Sequence, residues 1–235
     1  MHVLAIDTSL PTGSVAVLRR SAEGVDLVER PLGAAGEHAR RLMPELVAAA
    51  ASQGWQISDV NLVAVVRGPG SFTGLRVGVT TAKALCWATA ARLVGVSGFE
   101  IVARQTAAAC DRREEVAIAF DAGRGDVYAA VAIPDDTAAT GWSVTAGELL
   151  PASHWLDSLP TGRQVSGPAL ELHAAAAEAR GLALAAASTW RPSAGEAAAI
   201  AMLRAEAGLG DDPSTLLPEY SRPSYAEEKN PAPPG

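Results

Sequence analysis

The chain has 235 residues, 49% apolar and 19% charged, and carries 19 Lys plus Arg against 26 Asp plus Glu, a formal net charge of -7. This length fits one large domain or two of roughly 100 to 150 residues, and no run approaches the ~18 uncharged apolar residues that span a bilayer. The acidic balance repels a nucleic-acid backbone, so a soluble protein without membrane contact is expected, one that meets RNA through a partner if at all.

The amino terminus, Met1-His2-Val3-Leu4-Ala5-Ile6-Asp7, lacks a basic n-region and has an acid inside its apolar run. No signal peptide is expected, and the location is read as the cytosol. Val3 to Asp7 reads as a buried strand that ends in Asp-Thr-Ser and a Pro-Thr-Gly turn, followed by strands at Gly13 to Leu18 and Val25 to Arg30. Glu37 to Ala51 sets Leu42, Met43, Leu46, Val47 and Ala50 at three- and four-residue steps, which predicts an amphipathic helix. Asn61 to Val66 predicts a strand, Leu75 to Ala91 a helix after a Gly-rich turn, Leu93 to Val96 a strand and Phe99 to Ala109 a helix.

The order then begins again. Val116 to Asp121 is an apolar run ending in aspartate, as Val3 to Asp7 is, and Asp126 to Ile133 follows a Gly-rich turn. A strand near Trp142 to Thr145, a helix after Pro151, a strand at Gln164 to Ser166 and a helix over Ala169 to Ala179 complete the repeat. The expected class is α/β with two equivalent βββαβα lobes, 1–112 and 113–226, and a charged, Pro-rich tail at 227–235 that is disordered or depends on a partner.

The stretch Arg67-Gly68-Pro69-Gly70-Ser71-Phe72-Thr73-Gly74 lies between a strand and a helix. Gly68 and Gly70 allow a close approach, while Ser71 or Thr73 can cap a helix whose amino end favours anions. The loop reads either as a nucleotide or anion pocket or as a tight turn. It is not a Walker loop, having no G-K-[ST], nor a nucleophile elbow, because Pro69 stands where the first glycine belongs. Asp7 with Thr8 and Ser9, and Asp121 near Gly123, are two acid-bearing turns that could flank a Mg-phosphate in a facing two-lobed fold, or turn residues bonding their own backbone.

His2, His38, His154 and His173 show no metal-binding spacing, and Cys86 and Cys110 form no C-x-x-C pair. Neither a metal site nor a catalytic residue is expected. Gly74, Gly78, Thr81, Ala82 and Leu85 form a small-residue stripe on the second long helix, to set beside Leu42, Met43 and Leu46 on the first. Intrachain packing and a subunit interface give the same periodicity. A mid-helix glycine costs ~1 kcal/mol relative to alanine, which favours a tight crossing at Gly78. His38, Arg40 and Arg41 either rim such an interface or are solvated.

Several stretches together resemble the TsaB (YeaZ) family of the actin-like ATPase superfamily: Leu4-Ala5-Ile6-Asp7-Thr8-Ser9, His38 to Pro44, the run from Gly68 to Gly98 with GPGSFTGLR, Asp121 to Tyr128, and Pro218-Glu219-Tyr220-Ser221-Arg222. The resemblance implies an actin-like (ASKHA) fold and a noncatalytic subunit of the machinery that attaches threonylcarbamoyl to tRNA adenosine. It implies a heterodimer with TsaD, help in recruiting TsaE, tRNA reached through the complex, no firmly bound cofactor, and ATP and Mg acting at the level of the complex. It also implies pairing through the first two long helices, which puts His38, Arg41, Leu42, Leu46, Gly74, Gly78, Ala82 and Leu85 at the partner interface. Gly123 departs from the arginine common in the family. A homodimer when alone, a kinase-like enzyme of the same superfamily and an endopeptidase stand as alternatives.

Overall fold

The computed structural model describes residues 1–34, 36–110 and 113–220. The tail at 227–235 and Ser221 and Arg222 of the closing motif lie outside them.

The first sheet contains β1 (His2–Asp7), β2 (Ser14–Ser21), β3 (Gly24–Pro31), β4 (Leu62–Gly68) and β5 (Arg92–Ser97), in the order β3-β2-β1-β4-β5. β1 runs antiparallel to β2, with Ile6 opposite Val15, and parallel to β4, with Ile6 opposite Val65. Antiparallel neighbours need short turns, whereas parallel ones need a crossover. Two helices occupy the crossovers: α1 (His38–Ser52) on the way to β4 and α2 (Phe72–Thr89) between β4 and β5. Because strand side chains alternate, Leu4 and Ile6 join the core under α1 and α2, while Val3 and Ala5 join the core on the opposite face.

The second sheet holds β6 (Val116–Gly123), β7 (Asp126–Pro134), β8 (Trp142–Val144), β10 (Gln164–Ser166) and β11 (Ala183–Leu184) in the order β11-β10-β6-β7-β8, and β9 (Glu148–Pro151) also pairs with β7. One face packs on α3 (Gly98–Cys110), where Phe99, Val102 and Ala103 meet Ile118 and Phe120. The other packs on α4 (Ala152–Ser158) and α5 (Leu170–Glu178), through Trp155, Leu156 and Leu170 against Ala117 and Ala119. The repeated strand and helix order is therefore present in both halves.

The sequence reading did not find β9, β11 or α6 (Ala194–Glu206). α6 lies on the first sheet, with Ala194, Ala197, Ala198, Ile200 and Ala201 against Val3, Ala5, Ala16 and Ala64. Its small side chains let the helix approach the strands closely. Both ends of α6 are fixed by that sheet. The Glu29 carboxylate on β3 accepts from the Ala194 and Gly195 amides at 3.0 and 3.2 Å, where the helix dipole favours an anion. Arg92 on β5 donates to the Ala205 and Leu209 carbonyls at 3.0 and 2.8 Å, where it favours a cation. Arg104 on α3 pairs with Glu196, and Arg204 on α6 with the buried Glu100, joining the helix layers of the two sheets.

Beyond α6, residues 211–220 return along the first sheet. The Asp211 amide donates to the Leu93 carbonyl, the Glu219 amide donates to the Arg67 carbonyl, and Leu216 enters the core under α2.

Candidate functional site

The carboxyl end of β1 brings most of the candidate residues together. Asp7 is 1% exposed, and its Oδ1 accepts from both the amide and the hydroxyl of Ser9, at 2.8 and 2.6 Å. Burial pushes the Asp7 carboxyl up to about 6, and the two Ser9 hydrogen bonds hold back part of that rise. Thr8 turns its hydroxyl to the Gly74 carbonyl at 2.6 Å. The β4–α2 loop closes over this turn: the Ser71 amide donates to the Ser9 carbonyl at 2.7 Å. A Cβ on Gly70 would overlap that same carbonyl. Ser71 caps α2 by accepting from the Gly74 amide at 3.3 Å, which starts the helix at Phe72, three residues before the sequence reading placed it.

Of the residues expected to form an anion cradle, Asp7, Thr8, Ser9, Gly70 and Ser71 meet at this turn, and Thr8, Ser71 and Thr73 line a cavity beside it. Ser9 donates to Asp7, Ser71 donates to Ser9, and the Asp7 carboxylate lies away from solvent, so the turn as built does not fit a Mg-phosphate. Gly68 serves the chain in another way, since a Cβ there would overlap the Glu219 carbonyl oxygen of the returning segment. Asp121 stands apart on β6; it is exposed and accepts from the Gly123 amide at 3.0 Å.

The helix stripe packs within the chain. Leu42, Leu46, Ala82 and Leu85 are buried in one core with Leu4 and Ile6. Gly74 and Gly78 are buried too, and a Cβ on them would overlap the Thr8 carbonyl and hydroxyl oxygens. The small residues thus let α2 lie on the Asp7–Ser9 turn within the chain, and none of these six faces outward. His38 is also buried, with Nε2 3.1 Å from the Pro11 carbonyl and 3.4 Å from the Gly13 amide nitrogen. One ring nitrogen cannot serve both, and the shorter contact assigns Nε2–H donating to Pro11. Arg41 is half-buried and pairs with Glu45 at 2.8 Å.

The outward faces of the same helices expose apolar side chains. Met43 and Val47 on α1 are 37% and 49% exposed and Trp87 on α2 is 69% exposed. Beside the β1 turn, Thr8, Leu10, Pro11, His38, Ala39, Ser71, Thr73, Gly74 and Val77 line a cavity of about 160 Å³. Cys86 is buried on α2, and burial pushes its thiol up to about 11, leaving it a packing residue; Cys110 ends α3. Among the described residues no three of His, Cys, Asp and Glu come together to hold a metal ion, and no helix is long and apolar enough to cross a membrane.

Known proteins agree with this architecture. The family model for TsaD, tRNA N6-adenosine threonylcarbamoyltransferase, matches residues 27–148. An uncharacterized protein of Mycobacterium tuberculosis is 34% identical over 94% of this chain and 91% of its own length. The tRNA threonylcarbamoyladenosine biosynthesis protein TsaB of Bacillus subtilis is 36% identical over 54% of this chain and 53% of its own, and TsaB of Escherichia coli 34% over the same shares. A crystal structure of a Pseudomonas aeruginosa protein with similarity to peptidase YEAZ superposes with a TM-score of 0.77 at 25% identity, covering 94% of this chain and 99% of that one. The chain belongs to the TsaB (YeaZ) family. Its α/β architecture is accordingly the actin-like one. Within that family frame, the β1 turn is closed by the chain's own loop, and the outward surface of α1 and α2 is left open.

Residues that the sequence reading missed have recognisable signals. Ser193 followed three residues later by Glu196 is a helix-start pattern, and Ser193 does cap α6, its hydroxyl accepting from the Glu196 amide at 3.1 Å. Trp87, on the helix face opposite Leu85, carries the signal of a large apolar residue out of phase with the buried stripe.

Proposed function

We propose that this chain acts in tRNA threonylcarbamoyladenosine biosynthesis as a noncatalytic subunit, pairing with a TsaD-type threonylcarbamoyltransferase and helping to recruit a TsaE-type ATPase. The observation that carries the reading is the pairing of a closed turn with an open face. The β4–α2 loop seals the Asp7 turn through the Ser71 to Ser9 hydrogen bond, while Met43, Val47 and Trp87 stand in solvent on the two adjacent helices. A chain built this way offers a surface where a superfamily enzyme would offer a phosphate site. Its net charge of -7 supports tRNA contact through the partner. The proposal includes a cytosolic location and ATP and Mg acting on the assembled complex.

The test is to co-purify the full chain with the TsaD-type subunit of the same genome and to assay tRNA threonylcarbamoylation with and without it. Dependence of the reaction on this chain, with no ATP turnover by the isolated chain, is expected. Full modification in its absence sinks the proposal, and ATP hydrolysis by the chain alone returns the kinase-like alternative. Trp87→Asp, on the exposed face, is expected to abolish pairing without changing the melting temperature, since surface changes of this kind stay within ~0.5 kcal/mol.

A further inference from the structure

Most arginines in the described structure have their charge answered within the chain: Arg67 by Glu219, Arg104 by Glu196, Arg204 by Glu100, and Arg92 by two backbone carbonyls. Arg76, exposed on α2, is held differently. Its guanidinium carbon lies 3.8 Å from the centre of the Phe72 ring and 5.7 Å from that of Tyr220. The two rings are themselves 4.7 Å apart, and Nε donates to the Tyr220 hydroxyl at 2.9 Å. The guanidinium is therefore fixed in place by two aromatic rings and one hydrogen bond. Its terminal nitrogens have no carboxylate partner among the described residues.

We propose that Arg76, clamped by Phe72 and Tyr220, is a preorganised anchor for a carboxylate on the protein that docks on the outer face of α1 and α2. The inference rests on the pairing proposed above and names the chemistry of its contact. An arginine held rigid loses little conformational freedom when it meets a planar bidentate acceptor, and its fork geometry suits a carboxylate. Arg76 shares a helix face with Thr80 and Ala84, both exposed, one turn and two turns on. Thr73 and Val77, its neighbours one turn back and one residue on, line the 160 Å³ cavity, so the matching partner segment carries an acidic residue beside an apolar one.

A phosphate backbone is the other acceptor with this geometry. The surroundings disfavour it, because nucleic-acid surfaces gather several open cations, whereas nearby Arg67 is paired with Glu219 and the chain as a whole is acidic. Tyr220 belongs to the returning segment 211–220, which makes that segment a positioning element for α2.

The experiment is calorimetric titration of the full chain against the TsaD-type subunit of the same genome, at about 0.05 and about 0.5 M salt, where screening lengths differ severalfold. Arg76→Gln, which removes the charge and keeps a polar unbranched side chain, is expected to weaken pairing ten- to a hundredfold at low salt, with a much smaller loss at high salt. Arg76→Lys is expected to remain at least about threefold weaker than wild type, since a point charge does not replace the planar fork. Tyr220→Phe is expected to cost about threefold at either salt through loss of orientation alone. Equal affinity of Arg76→Gln and wild type overturns the anchor and leaves the pairing standing. Absence of any pairing by the wild-type chain overturns both. Normal pairing by Arg76→Gln with loss of tRNA from the complex overturns it in favour of a phosphate contact.

Discussion

Two hairpin turns begin alike and end in opposite states. β1 closes on Ala5-Ile6-Asp7 and β6 on Ala119-Phe120-Asp121, and each is followed by an antiparallel partner strand. Asp7 is 1% exposed and Asp121 is exposed. The difference comes from the loop that follows the neighbouring parallel strand. In the first lobe, Ser71 reaches the carbonyl of Ser9, two residues beyond the aspartate; in the second, the Ala169 amide donates to Ala119, two residues before it. A loop that extends past the carboxylate buries it, and one that stops short leaves it in water. The same short motif thus becomes a packing element in one lobe and a surface turn in the other, and residue type alone does not determine which.

The sharpest way to break the first turn is Gly78→Arg. A side chain at Gly78 meets the Thr8 hydroxyl, Ile6 and Val65, so the variant has to bury a charge as well as overpack the core. A loss of at least ~3 kcal/mol is expected, read as failure to recover folded protein. A well-folded variant that merely fails to pair would place the stripe at an interface after all.

Asp7→Asn comes next. Folded Asp7 holds its proton up to about 6 against an ordinary value of 3.8. Between those values the folded chain binds more protons than the unfolded one, so stability falls as pH rises through the interval and the loss is complete above about pH 6. The asparagine removes this dependence and raises stability at pH 7 by up to roughly 3 kcal/mol, provided that it keeps the Ser9 donors. Urea denaturation across pH 4 to 7 reads the difference, and parallel profiles for the two proteins contradict the assignment.

In the second lobe, Gly167→Ala places a Cβ against the Ala119 carbonyl at a φ of +112° and is expected to cost ~2 kcal/mol in a thermal melt. Asp121→Ala, in water, is expected to stay within ~0.5 kcal/mol. A loss of several kcal/mol in the Asp121 variant would erase the contrast between the lobes.

The sequence makes the elements legible wherever burial is one-sided. Leu42 and Leu46 declare α1, and alternating or continuous apolar runs declare β1, β4 and β6, because periodicity records that a face is buried. It does not record what buries it. Gly74 and Gly78 carry the same signature whether the approaching backbone is a partner helix or, as the structure shows, the Thr8 turn. α6 escaped for a related reason. Its run of alanines is buried on one side by small contacts that leave almost no contrast in hydropathy, and the sheet it covers was completed 97 residues earlier, at Ser97. The candidate cradle was legible as a set of residues but not as a geometry, since whether Ser71 caps a helix over open space or over Ser9 depends on how far a loop reaches.

The docking of α6 sets the timing of assembly. The strands of the first sheet are complete once Ser97 has been added, yet Val3, Ala5, Ala16 and Ala64 gain their cover only with Ala194 to Ala201. At bacterial translation rates of about 5 to 20 residues per second, that apolar face waits roughly 5 to 20 seconds for its helix. During synthesis the nascent first lobe is a sheet dressed on one side, and a chain stalled before α6 presents a sticky surface to the ribosome exit, to chaperones and to its own neighbours.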